Sequence, residues 1–195
     1  ARGRIRGVFV AVRSRPRGGN LLARLWWNSR VVSGPRSGSA IPVLLPDGVA
    51  GWVKVEDVAT GARAVPSIRH RVLDLLGTPY LWGGRSPAGF DCSGFVQMLH
   101  AERGQPLPRD AREQHRACRT VPTLGRARIG DMLFFEDRPG GVAHVGIWLG
   151  AGLFVHARGA VTLSSLDPKT SLYDKELAGQ FCGMGRPRSR PATRA

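Results

Sequence analysis

The chain has 195 residues, 42% of them hydrophobic and 22% charged, which is room for one medium-sized globular domain and a small companion. Every apolar run falls well short of the ~20 residues that span a bilayer, so no transmembrane segment is expected. The net charge of +15 favours polyanions in general, but with 7% aromatic residues and neither a recognition-helix nor an RNA-binding motif, nucleic acid is not expected as the main partner.

The basic excess is uneven. Residues 1–65 hold eleven Arg and Lys against three acids, and residues 183–195 add four Arg and no acid. Arg2, Arg4 and Arg6 precede only a short apolar run at 8–12, too brief for the core of a signal peptide, while Ala1 is not an initiator Met. Cys92, Cys118 and Cys182 make an odd number without CxxC spacing, which argues against a disulfide framework or a metal site and for a reactive thiol. Cys118 and Cys182 have flanks that read as those of small buried hydrophobes.

In chain order, residues 8–12, 21–27, 31–32, 41–45 and 51–55 read as short strands separated by Gly, Pro, Ser and Asn clusters, a pattern that predicts a small barrel. The stretch LPDGVAGWVKVEDV at 45–58 resembles the closing hairpin and last strand of a bacterial SH3-like domain. A linker follows at 61–66. Ile68, Val72, Leu75 and Leu76 then fall at helical spacing, with Ser67 as N-cap and Gly77 as stop. His70 on this helix reads as a surface residue.

A Gly/Pro-rich loop at 83–89 delivers the chain to Asp91-Cys92-Ser93-Gly94, which opens an apolar helix through Phe95, Met98 and Leu99. A cysteine at a helix N-terminus meets unpaired N–H groups that favour the thiolate. A polar stretch at 108–114 follows, and His100 and His115 read as surface residues. Apolar runs then begin at Ile129 and contain His144 and His156, with Gly-rich turns between them, as in an antiparallel meander packed on the helices. Helices first and sheet second give an α+β domain. Cys, His and a second polar group able to orient the first is the layout of a papain-type nucleophile.

The motifs GTPYLWGG, FDCSGFVQ, LPRDAREQ, IGDMLFF, HVGIWLG and FVHA, in this order, resemble those of the NlpC-type papain-like cell-wall cysteine endopeptidases. The resemblance runs from about residue 65 to 183 and implies the division 1–60 SH3-like barrel, 61–66 linker, 67–183 catalytic domain and 184–195 basic disordered tail. It implies a bacterial enzyme that hydrolyses the γ-D-glutamyl–diamino acid bond of peptidoglycan stem peptides with no metal or cofactor. Cys92 is then the nucleophile, His144 the base and His156 its orienting partner. Tyr80, with the Cys92 N–H, faces the oxyanion. Asp110, or Asp91, meets a free amine of the substrate. Ser93 adds a hydrogen bond, Trp82 lies in the binding motif, and Arg109 or Arg85 meets a substrate carboxylate. Trp26 and Trp27 are candidates for a cleft wall.

Two other readings share these residues: a binding module for an anionic wall polymer or peptide, and an acyltransferase or amidase using the same dyad. The substrate is expected to be peptidoglycan or a released muropeptide. A monomer is favoured, and the compartment stays open between the bacterial cytoplasm and the cell envelope.

Overall fold

The computed structural model describes residues 2–60 and 65–188. The chain divides into two compact units, Ala1–Val65 and Pro66–Ala195.

The first unit is built of seven antiparallel strands: β1 (Arg2–Ile5), β2 (Phe9–Arg13), β3 (Leu21–Trp26), β4 (Arg30–Ser33), β5 (Ala40–Leu44), β6 (Ala50–Lys54) and β7 (Val58–Thr60). They lie in the order β3-β2-β6-β5-β4-β1-β7. Alternation explains the core: Val10 and Val12 of β2, Ile41 and Val43 of β5, and Val53 of β6 meet Ile5, Val31 and Val58 on one buried face. The turn at Asp47-Gly48 closes the β5–β6 hairpin, because Asp47 Oδ1 accepts from Val49 N at 3.0 Å and Gly48 takes φ +82°. Trp27 is buried and Trp26 packs on Phe9, with ring centroids 5.0 Å apart. The linker expected at 61–66 lies outside the described residues over 61–64.

The second unit starts with α1 (Ile68–Leu75), capped as expected by Ser67, whose Oγ accepts from His70 N at 3.2 Å. His70 is exposed. Gly77 at φ +77° turns the chain, and its N–H donates to Val161 O at 2.9 Å. Next come the hairpin β8 (Arg85–Ser86) and β9 (Gly89–Phe90), then α2 (Cys92–Glu102), α3 (Ala111–Ala117) and β10 (Cys118–Val121). The remaining elements are β11 (Met132–Glu136), β12 (Val142–Gly150), β13 (Leu153–Arg158), β14 (Ala160–Ser165), α4 (Lys175–Gln180) and β15 (Phe181–Pro187).

The sheet runs β10-β15-β11-β12-β13-β14, antiparallel throughout. Because β11 is covered on both faces, its apolar run is continuous rather than alternating. Leu133 and Phe135 pack with Leu177 of α4, Trp148, Phe154 and Met184. On the other face the ring of Phe134 lies 4.7 Å from that of His115 of α3.

Three expectations change here. Residues 184–187 belong to β15 rather than to a disordered tail, because Arg186 is paired to the buried Asp131 and the strand bridges β10 and β11. Residues 189–195 lie outside the described residues. His100 is 2% exposed rather than on the surface, with Nδ1 3.0 Å from Gln105 Oε1, because it continues the inward series Cys92, Phe95, Val96, Leu99 on α2. Cys182 is exposed rather than buried. No described helix is long and apolar enough to cross a membrane.

Candidate active site

Cys92 is the first residue of α2, and Asp91 is its N-cap. The Asp91 carboxylate is fully occupied: Oδ1 accepts from Gly94 N at 2.6 Å, Oδ2 from Gly83 N at 3.0 Å, and both oxygens take the Arg109 guanidinium. One acid thereby caps the helix, ties down the glycine loop and neutralises Arg109. These bonds hold the Asp91 carboxyl below its ordinary range even though burial pushes it up. Ser93 is drawn into the same cluster, its Oγ 3.3 Å from Asp91 Oδ1 and 2.9 Å from Arg109 Nη1. Asp91, Ser93 and Arg109 thus form one hydrogen-bonded cluster on the wall of the cleft that Cys92 lines.

The loop can come this close because it is glycine. A Cβ on Gly94 would sit 2.2 Å from Gly84 O, and one on Gly84 would sit 2.4 Å from Gly89 O. Gln114 of α3 completes the frame by donating Nε2–H to Ser93 O at 2.9 Å and to Pro108 O at 3.0 Å.

His144 and His156 come from neighbouring strands. The register pairs Gly146 with His156, so His144 is the diagonal neighbour of His156 on the same sheet face. Gly146 makes the approach possible, since a Cβ there would meet Val155 O at 2.9 Å and His156 Cβ at 3.3 Å. His144 Nε2 lies 3.0 Å from His156 Nδ1, and His156 Nε2 lies 3.1 Å from Ser164 Oγ on β14. These distances fit a tautomer set in which His144 Nε2–H donates to His156 Nδ1 and His156 Nε2–H donates to Ser164 Oγ. The Nδ1 lone pair of His144 is left free to take a proton.

One cleft of about 670 Å³ is lined by Cys92, His144, Tyr80, Trp82, Arg109 and Asp110, among others. Trp82 is 87% exposed at this cleft. Asp110 is exposed and, as N-cap of α3, makes no side-chain capping bond, so its carboxylate is available. Arg85 is exposed, and its aliphatic stem runs along Gly94.

Electrostatics depart from the expected thiolate. Burial pushes the Cys92 thiol up and the nearby Asp91 charge adds to this, outweighing the backbone N–H groups of Val145, Ser93 and Cys92 that pull it down. Burial lowers His144 to about 3 and His156 to about 4. The resting pair is thus neutral thiol and neutral imidazole. Tyr80 is pushed up, first by burial and then by Cys92 and Asp91, so its O–H stays a donor. Cys118 lies on β10 with its thiol raised to about 12 by burial, and Cys92 is the cysteine that lines the cleft. No cluster of three or more His, Cys, Asp or Glu that could hold a metal ion occurs among the described residues.

A thiol at a helix start that shares a cleft with one histidine of a bonded pair on an antiparallel sheet fits a papain-like α+β protein. Residues 77–180 match the NlpC/P60 family model, and the chain belongs to that family. It is 42% identical over 105 residues to the gamma-D-glutamyl-L-lysine dipeptidyl-peptidase of Bacillus subtilis, a match covering 52% of this chain and 35% of that one. It is 40% identical over 122 residues to dipeptidyl-peptidase 6 of Lysinibacillus sphaericus, covering 61% and 43%. The chain thus spans less than half the length of these curated relatives. A crystal structure of an NlpC/P60 family protein from Bacillus cereus superposes with a TM-score of 0.82 at 24% identity, covering 95% of this chain and 62% of that one, a likeness of fold that includes the N-terminal β unit.

Of the residues the motifs single out, Cys92, His144 and Tyr80 line one cleft and His156 lies 3.0 Å from His144. Ser164, Gln114 and the Val145 amide were not readable, because each acts through a long-range pairing of strands or helices that no local pattern records.

Proposed function

We propose that this chain is a cysteine endopeptidase that hydrolyses the γ-D-glutamyl–diamino acid bond of peptidoglycan-derived stem peptides. The observation that carries the reading is the cleft in which Cys92 and His144 meet, with His144 held by His156 at 3.0 Å. The gamma-D-glutamyl-L-lysine specificity in the name of the Bacillus subtilis relative supports the substrate class.

In this mechanism the Cys92 thiol gives its proton to His144 Nδ1 as the sulfur attacks the γ-carbonyl, since the resting pair is neutral. The tetrahedral oxyanion is met by the Tyr80 O–H and the Cys92 N–H. Positive charge on the His144 ring strengthens its Nε2–H bond to His156, which holds the ring in plane and in tautomer. The His144 imidazolium then protonates the departing amine of the diamino acid. Water, with His144 again as base, releases the dipeptidyl acyl group from sulfur. Asp110, the acid of the cleft with no capping bond of its own, receives the free amine of the N-terminal residue. Residues 1–60 are read as the SH3-like module and 67–187, through the end of β15, as the catalytic domain.

Mass spectrometry of wild type and Cys92→Ala with L-Ala-γ-D-Glu-diaminopimelate, and with its N-acetylated form, tests this. Wild type is expected to release L-Ala-γ-D-Glu from the free-amine peptide, Cys92→Ala is expected to release none, and acetylation is expected to suppress cleavage. No turnover by wild type, or equal turnover by the variant, would overturn the reading; equal cleavage of both peptides would remove the role given to Asp110.

A further inference from the structure

A second pocket in the same unit, about 510 Å³, lies along β10, the turn at 124–126 and the end of β15. It shares no lining residue with the Cys92 cleft, and four arginines line it: Arg119, Arg126, Arg128 and Arg186. Their charges are not equivalent. Asp131, 2% exposed, accepts from Arg186 Nε and Nη2 at 2.6 Å each, so that guanidinium is neutralised in place. The same carboxylate takes the backbone N–H of Arg128 at 2.7 Å, which completes its bonding.

Arg119, Arg126 and Arg128 are exposed, and no ion pair involves their guanidinium groups among the described residues. Moreover, Arg119 stands directly opposite Arg186 in the β10–β15 register. Guanidinium forks match phosphate oxygens bidentately, and the Thr120 hydroxyl on the same wall is a further donor. Three unneutralised guanidiniums around a pocket of this size fit a ligand with more than one phosphate rather than a single carboxylate.

We propose that this pocket is a binding site for linked phosphate groups, separate from the Cys92 cleft and independent of the peptidase reading. The phosphates belong either to a free oligophosphate or to a phosphate-bearing lipid headgroup, and the two sources present the same chemistry to the arginines.

Titration calorimetry of the full chain with sodium tripolyphosphate, at low and at physiological ionic strength, tests it. Arg119→Gln, Arg126→Gln and Arg128→Gln, each alone, are compared with wild type and with Arg13→Gln/Arg15→Gln, which removes charge from the first unit. Wild type is expected to bind one-to-one and saturably. Each pocket variant should weaken binding about tenfold, while the control pair changes it by less than about twofold. Because three separate variants report on the pocket, misfolding of any one leaves the comparison intact. Absence of saturable binding by wild type, or an equal loss in the control pair, would overturn the proposal. Flotation with phosphatidic acid vesicles separates the sources. Flotation that depends on the pocket arginines assigns the headgroup, and tripolyphosphate binding without flotation assigns a soluble phosphate; both uphold the site.

Discussion

Ser164 carries more weight than its position on a sheet-edge strand would suggest. Its Oγ lies 3.1 Å from His156 Nε2, and in the tautomer where it accepts that N–H, Nδ1 of His156 is left as an acceptor for His144. Ser164→Ala should free His156 to choose either tautomer. Loss of that hydrogen bond is worth about 1 kcal/mol, so kcat is expected to fall roughly fivefold with KM unchanged, and Ser164→Thr should restore it. Steady-state kinetics on the peptide above decide the matter, since a residue that only packs would not respond to restoring the hydroxyl. Sequence could place His156 with His144 because both sit in apolar runs bounded by glycine. It could not place Ser164, which reaches His156 only diagonally across the β13–β14 register, where Phe154 faces Ser164 and His156 faces Thr162. His100 was legible in principle. It falls at the eighth step of the series opened by Cys92, and only its charge-rich neighbours Glu102 and Arg103 obscured the pattern.

At the scale of the element, α2 is organised by what precedes it. Replacing a helical glycine by alanine ordinarily gains up to about 1 kcal/mol from propensity. At Gly94 the sign should reverse, because the new methyl meets the Gly84 carbonyl at 2.2 Å, a backbone atom that cannot swing aside. Overpacking of this kind costs about 1–3 kcal/mol, so Gly94→Ala is expected to lower stability in urea titration and to displace Cys92 enough to reduce activity more than stability alone explains. An unchanged or raised midpoint would contradict the tight loop-on-helix contact. α2 itself, α1 with its Ser67 cap, and strands β2 to β6 of the first unit were legible from period and punctuation. The strands β1, β7 and β10 were not, being three or four residues long with few apolar side chains. They exist because neighbouring strands offer unpaired edges, as β4 and β7 do to β1.

For the whole molecule, three histidines of the second unit stay neutral: His100, His144 and His156 all titrate below their ordinary range, burial being the chief cause. The unfolded chain binds those protons from about pH 6.5 downward, whereas the folded chain holds His156 neutral to about 4 and His144 to about 3. Stability is therefore full above pH 6.5, falls as pH drops through the interval to about 4, and for His156 alone the loss is on the order of 3 kcal/mol. Calorimetry should show the Tm of wild type falling between pH 6.5 and 4.5, with His156→Gln flattening the slope; a Tm constant across this interval would sink the account. The Asp91 carboxyl, held low, adds its own loss only at more acidic pH. The order of strands has a further consequence, for synthesis. β15 lies between β10 and β11, yet it is the last of the three to leave the ribosome. Cys92, His144 and His156 are all translated before it, so the nascent chain carries its reactive groups while β10 has no neighbour and β11 shows a bare edge. At about 5–20 residues per second, the stretch between β10 and β15 leaves β10 waiting on the order of 3–12 s, an interval in which another strand could pair in the place of β15.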